Sequence, residues 1–280
     1  MKSIERIASA AEATDGVAPL DEATWLTLRN RPDQVRCWVH DDAFALLSHG
    51  ELSVVVHPEA RRRGVGGRLL AEVLADVGDA SLAAWLHGDH PAARLLAARH
   101  GFDRVRELWV MRRPLSPPDA QPLPELVAPD GVTLRGFRPG DENELLRVNS
   151  RAFVGHPEQG AMDAANLAER MAEPWFDPAG LIVAVADERM LGFHWTKEHS
   201  SSLGEVYVVA IDPKAQGRGL GRALTLAGLR HLASRGLDEV LLYVESDNAP
   251  AIAVYSRLGF THAPADTHLM YGRSGRRTPS

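Results

Sequence analysis

One cysteine, Cys37, stands among 280 residues. No internal disulfide can form, and a reducing cytoplasm is the simplest compartment. In the strand-like run RCWV the thiol is expected to act as a small, buried apolar group. An excess of positive charge is also lacking. The chain has 31 Lys and Arg against 37 Asp and Glu, a net charge of −6 and an isoelectric point near 6.1. That argues against nucleic acid as a general partner, since phosphate backbones want a basic surface. Long apolar runs are missing: VYVVAI (206–211) is far short of the roughly 20 residues of a membrane span. The start, MKSIERIASAAEATDGV, carries acidic residues and lacks the apolar centre of a signal peptide. No apolar stripe suggests a subunit interface. The expectation is a cytoplasmic monomer with no nucleic-acid or membrane partner.

What is present is the balance of an ordinary globular protein, 45 % apolar and 24 % charged. The length suits two domains of about 100–200 residues. Six of the 18 prolines fall in PLSPPDAQPLPELVAPDG, 114–131, which reads as an extended linker. The expected domains are residues 1–120 and 130–280. The two halves repeat one another. His57-Pro58 matches Asp212-Pro213, RRRGVG (61–66) matches QGRGLG (216–221), and HPAARLLAARHGF (90–102) matches NAPAIAVYSRLGF (248–260).

Each half has the same coarse order. In the second, LIVAVA (181–186), MLGFHW (190–195), GEVYVVAI (204–211) and EVLLYVES (239–246) read as strands. A helix opens at the glycine cluster, another spans 249–258, and a last strand near THLMYG closes the unit. The first half runs RCWV, FALL, ELSVVV, helix 64–77, SLAAWL, helix 91–99 and RELWVMR. The expected class is α/β (α+β), with a hairpin followed by a strand–helix–strand crossover.

A tight turn at a helix start leaves backbone N–H groups without partners, at the positive end of the helix dipole. Glycines let an anion come close, and arginines add charge-assisted contacts. The clusters are therefore candidate pyrophosphate cradles. Neither the G-x-G-x-x-G dinucleotide fingerprint nor the Gly-Lys-Ser/Thr of a P-loop is present. A single Gly-x-Gly would read as a plain helix entry with solvated arginines; two copies in matched contexts favour phosphate.

Strand, [Gln/Arg]-x-x-Gly-x-[Gly/Ala], helix, strand and then Asn-x-x-Ala-x-x-x-Tyr-x-x-x-Gly-Phe resembles the GCN5-related N-acetyltransferase (GNAT) superfamily. The resemblance covers both halves and implies two tandem GNAT-type domains, each a mixed, mostly antiparallel sheet flanked by helices. It implies acetyl-CoA as cosubstrate. In the second half its arm would lie along Val209, Ala210 and Ile211. Its pyrophosphate would lie on Gln216, Gly217, Arg218, Gly219, Leu220, Gly221 and Arg222, with Asn248 and Ala253 beside it. The matching residues of the first half are Val54, Val55, Val56, Arg62, Arg63, Gly64, Val65, Gly66 and Gly67. More narrowly, DGVAPL, HPEQG, WFDPAG, GFHWTKEH, LGEVYVVAIDP and LLYVESDN resemble the mycothiol synthase family of actinobacteria. That implies an acceptor with a cysteinyl amine, desacetylmycothiol (cysteinyl-glucosaminyl-inositol).

Acetyl transfer to an ammonium needs a base for the amine and an acid for the departing thiolate. The family resemblance assigns these to Glu205 and Tyr255. From pattern alone Glu205 has even odds of facing outward, and Tyr255, spaced with Ala251, Ile252 and Leu258, would be a core residue. The first half has Gly50 and Ala97 at these positions, and is expected to bind acetyl-CoA without transferring. Glu22, Glu158, Lys197, Glu205 and Tyr243 sit in blocks that line the family's acceptor. Glu22 could equally begin a helix. Trp175 and Phe176 are expected in the core or at a lid edge. His194 and His199 flank Lys197 without a third ligand, so no metal site is expected. The competing readings are an acetyltransferase for another amine or a protein N-terminus, and an acyl-CoA sensor without turnover.

Overall fold

The computed structural model describes residues 1–88, 90–154, 160 and 162–275. The chain divides into two compact units. One holds Met1–Trp109 and the residues from Ala263 onward; the other is Val110–His262.

In the first unit, α1 (Lys2–Asp15) and α2 (Glu22–Asn30) precede three strands, β1 (Arg36–Val39), β2 (Ala43–Ser48) and β3 (Glu51–Val56). Then come α3 (Val65–Val77), β4 (Leu82–Leu86), α4 (Pro91–Arg99) and the start of β5 (Asp103–Pro114). α1 buries Ile4, Ile7, Ala8 and Ala11, one stripe at helical spacing, against Phe44, Leu46 and Val55. Asp21 caps α2 by accepting from the Thr24 N–H at 2.8 Å. The first three strands are antiparallel neighbours, and β3 and β4 run parallel.

The second unit contains β6 (Thr133–Gly136), α5 (Glu142–Ala152), α6 (Ala164–Met171), β7 (Leu181–Ala186), β8 (Arg189–Glu198) and β9 (Leu203–Ile211). α7 (Leu220–Ser234), β10 (Glu239–Glu245) and α8 (Ala249–Arg257) follow. Its strand order is β10-β9-β8-β7-β6, antiparallel except for β9 with β10. One sheet face carries Phe193, Trp195 and Val208 against Leu145, Val148 and Leu167 of α5 and α6. The other packs Ile182 and Ala184 against Leu220, Leu224 and Ala227 of α7. Strand alternation sends His194 to the α7 side, where its Nδ1 lies 2.8 Å from the Leu224 carbonyl.

The strand expected near THLMYG is β11 (Thr261–Arg273). It pairs antiparallel with β4, Met270 opposite Trp85 and Tyr271 opposite Ala84, so from Ala263 on it belongs to the first unit. The proline-rich stretch is tied to the second unit. The Leu115 N–H donates to Asp238 O at 2.7 Å, Arg113 donates to Leu258 O and Gln121 O at 2.6 Å each, and Arg230 to Pro124 O at 2.6 Å. Cys37 corrects the expectation of burial. It is exposed, because β1 pairs with β2 alone and buries none of its side chains fully.

Candidate active site

The cradle is built where β9 meets α7. Asp212 ends the strand and caps a single 3-10 turn by accepting from the Lys214 N–H at 3.0 Å. Ala215 and Leu220 are buried and pin the two ends of the loop. Between them Gln216 to Gly219 are exposed. Gly217 and Gly219 take φ of +78° and +79°, which side-chain-bearing residues avoid. The helix's first backbone bond is Ala223 N–H to Gly219 O at 3.1 Å. The N–H groups of Leu220, Gly221 and Arg222 precede it and have no carbonyl within the helix. A Cβ built on Gly217, Gly219 or Gly221 would meet no atom within 4 Å. Open space, free donors, a positive helix end and the exposed Arg218 and Arg222 together fit a pyrophosphate.

A charge network supports the approach. Arg147 Nη1 lies 2.6 Å from Asp212 Oδ2, and Arg151 Nη2 3.1 Å from Oδ1. Arg147 also holds Glu144 at 2.7 Å. Its guanidinium brings the Glu144 carboxyl down to about 2.

The first unit copies the backbone but fills it differently. Arg62 and Gly64 have φ of +60° and +78°, the same left-handed pair. Arg61 is committed to Asp15, with both nitrogens at 2.7 Å. A Cβ on Gly66 would stand 3.3 Å from Val56 Cγ2 and 3.4 Å from Leu96 Cδ1, and one on Gly67 3.5 Å from Leu96 Cδ2. The room that is open at Gly221 is occupied there by Leu96 of α4. Val55 is buried, Val54, Val56 and Val65 are half-buried, and Arg63 is exposed.

Glu205 sits inside β9, only 6 % exposed. Its strand partners are Lys197 of β8 and Leu241 of β10. Its Oε2 lies 2.7 Å from His199 Nε2. Two residues on, Tyr207 shares its face and hydrogen-bonds Arg170. Lys197 Nζ lies 4.8 Å from the Trp175 ring centre and 5.2 Å from that of Tyr207, so the ammonium rests on two π faces. Trp175 and Phe176 pack on the buried Trp195. The β9–β10 ladder runs from Leu203–Glu239 to Val206–Leu242, whereas β9 continues through Val209 and Ala210 to Ile211.

Tyr255 lies on α8, half-buried, with its ring edge-on to Phe260 at 5.9 Å. Burial pushes its phenol up to about 12. Asn248 has a structural post: it caps α8, accepting from the Ala251 N–H at 3.2 Å. Ala253 is half-buried on the same helix. Tyr243 on β10 is exposed. In the first unit Gly50 lies in the β2–β3 turn with φ +81°, where no strand side chain could serve as base, and Ala97 lies on α4. Glu22 is the first residue of α2, in the other unit from Glu205, and Glu158 lies outside the described residues. His194 is fully buried core, and burial lowers it to about 4. Among the described residues no group of three or more His, Cys, Asp or Glu is placed to hold a metal.

Sequence reading passed over Arg170, Tyr207 and the pairing of His199 with Glu205. Tyr207 had a signal, the two-residue period of GEVYV. His199 had none, since only the β8–β9 hairpin brings it back to Glu205.

Two family models match, "Acetyltransferase (GNAT) family" over residues 144–260 and "Acetyltransferase (GNAT) domain" over 22–104. A mycothiol acetyltransferase of a Nocardioides species is 60 % identical over 98 % of this chain and 97 % of its own. The chain belongs to the mycothiol acetyltransferase family. Another member, from Thermomonospora curvata, is 51 % identical over 95 % of this chain and 91 % of its own. Among solved structures, a tandem GNAT protein from the clavulanic acid biosynthesis pathway superposes with a TM-score of 0.68 at 19 % identity, covering 99 % and 96 % of the two chains. That likeness speaks to the fold. Family membership makes the chain an acetyltransferase with two tandem GNAT domains, as the repeated motifs lead one to expect. No helix among the described residues is long and apolar enough to cross a membrane.

Proposed function

We propose that the second unit transfers the acetyl group of acetyl-CoA to the cysteinyl amine of desacetylmycothiol. The observation that carries the reading is a buried carboxylate, Glu205, on the strand that runs directly into an open glycine cradle. Acetyl-CoA supplies an activated thioester. Gln216 to Arg222 hold its pyrophosphate, and the backbone of Val209 to Ile211 its arm, where the β10 ladder has stopped.

Glu205 accepts a proton from the acceptor's ammonium, and the freed amine lone pair forms the C–N bond at the thioester carbonyl. As the tetrahedral intermediate collapses the C–S bond breaks, Tyr255 gives its phenolic proton to the departing sulfur, the surplus proton of the new amide nitrogen restores the phenol, and Glu205 releases its proton to solvent; the raised pKa of Tyr255 keeps its proton in place at neutral pH. Direct attack in a ternary complex needs no protein thiol. Lys197 and Tyr243 contribute polar contacts to a polyhydroxylated acceptor. The first unit, without acid or base at Gly50 and Ala97, transfers nothing. The protein works as a cytoplasmic monomer.

A thiol-release assay tests this, comparing cysteinyl-glucosaminyl-inositol with free cysteine, glucosamine and an aminoglycoside. Turnover on the first alone, lost in Glu205→Gln, is expected. Turnover only on another amine would remove the acceptor but keep the chemistry. Tight acetyl-CoA binding without turnover on any amine would make the chain a sensor.

A further inference from the structure

His199 is fixed before any ligand arrives. Its N–H donates to the Leu203 carbonyl at 2.9 Å, closing the β8–β9 hairpin. Ser200 Oγ tightens the same turn by accepting from Leu203 N–H at 3.1 Å and Ser202 N–H at 3.2 Å. The hairpin sets the imidazole against Glu205, Nε2 to Oε2 at 2.7 Å. The two groups differ in exposure: the His199 side chain is 35 % exposed, the Glu205 side chain 7 %.

A buried carboxylate must be held by donors to stay charged. Charged and titratable groups stand on the strands beside it. Lys197 is its cross-strand partner, with its ammonium over Trp175 and Tyr207. Glu198, next to His199, is paired with Arg235 at 2.9 Å. On the β10 side the partner is apolar Leu241. Tyr207, on the same face, hydrogen-bonds Arg170.

We infer that His199 is the positioning residue for the base. Its Nε2–H donates to Oε2 of Glu205, fixes the orientation of the carboxylate and leaves Oε1 to take the ammonium proton. The inference rests on the acetyl-transfer reading above.

The test compares His199→Phe, which keeps ring bulk without the donor, with His199→Gln, whose amide can still donate. Acetyl-CoA titration and circular dichroism check that each variant is folded. The Phe variant is expected to lose about 10- to 100-fold in kcat, the worth of a lost hydrogen bond to a charged group. KM for acetyl-CoA should stay put. The Gln variant should recover most of the rate. A Phe variant with wild-type kcat overturns the proposal. So do Phe and Gln variants equally slow, which would make His199 structural. Glu205→Gln separates the two readings: if that variant keeps its rate, the base assignment fails, whatever His199 does.

Discussion

Arg147 binds Asp212 at the threshold of the cradle, Nη1 to Oδ2 at 2.6 Å, and so joins α5 to the turn that presents the glycines. The Asp212 side chain is 7 % exposed, the Arg147 side chain 24 %. Removing the arginine leaves a nearly buried carboxylate with Arg151 as its remaining ion-pair partner. Arg147→Ala is expected to cost about 2–3 kcal/mol, below the range for a fully buried pair because water reaches the guanidinium. Urea unfolding measures it. KM for acetyl-CoA should rise as well, since the same turn positions the cradle.

The same network makes stability depend on acid. Glu144 has a folded pKa of about 2 against an ordinary 4.5. A depressed carboxylate adds stability that is complete above the unfolded value and disappears as pH falls through the folded one. The melting temperature should therefore drop between pH 4.5 and 2, and drop less steeply in Arg147→Ala. Equal slopes would show that the ion pairs add nothing to acid resistance.

Gly228 holds its position for His194. A Cβ there would stand 2.0 Å from the imidazole Cε1, deep between β8 and α7. The imidazole has no room to move, since His194 is completely buried. Gly228→Ala should cost about 3 kcal/mol or more, at or beyond the upper end of ordinary overpacking. The imidazole, lowered from 6.5 to about 4, stays neutral in the fold while the unfolded chain takes up a proton. Stability from this group is complete above pH 6.5 and is lost on descending toward 4. Calorimetry on wild type and His194→Leu should show that this slope belongs to His194.

The elements around both glycine clusters were legible in the sequence because their signals are local. Short runs of apolar and β-branched residues mark LIVAVA and GEVYVVAI, and paired glycines mark the helix entries. β11 was legible as a strand, but its partner was not, because pairing Met270 with Trp85 is a contact of long sequence separation. The proline-rich stretch reads as a linker by composition, yet its carbonyls accept from Arg113 and Arg230, which composition does not record. The buried side of Glu205 needed the sheet itself. Alternation gives two faces and does not say which one is covered.

Gly219→Ala should separate folding from ligand binding. Its φ of +79° costs a residue with a side chain about 1 kcal/mol, but its Cβ would meet no protein atom within 4 Å. The methyl would stand in the space proposed for pyrophosphate. The melting temperature should fall by only a few degrees, whereas KM for acetyl-CoA should rise about tenfold or more. A stability loss with unchanged KM would remove the cradle from the acetyl-CoA site.

Tyr255→Phe tests the acid. The hydroxyl is the only atom removed, and Phe260 keeps its edge-on contact with the ring. A general acid must hold its proton at working pH, and burial raises this phenol from 10.0 to about 12. The wild-type kcat profile should therefore show no alkaline loss from Tyr255 between pH 7 and 10; an ordinary tyrosine would already lose rate above about 9. Stability from the same group is complete below pH 10 and declines on rising toward 12, a direction opposite to that of Glu144 and His194. In the Phe variant kcat should fall about 100-fold or more, in the range of a lost acid–base catalyst. The Kd of acetyl-CoA should be unchanged, because the hydroxyl acts on the sulfur only as it departs. Stopped-flow thiol release and equilibrium titration give the two numbers. A tenfold weaker Kd with unchanged kcat would make Tyr255 part of the binding wall, and the thiolate would then take its proton from water.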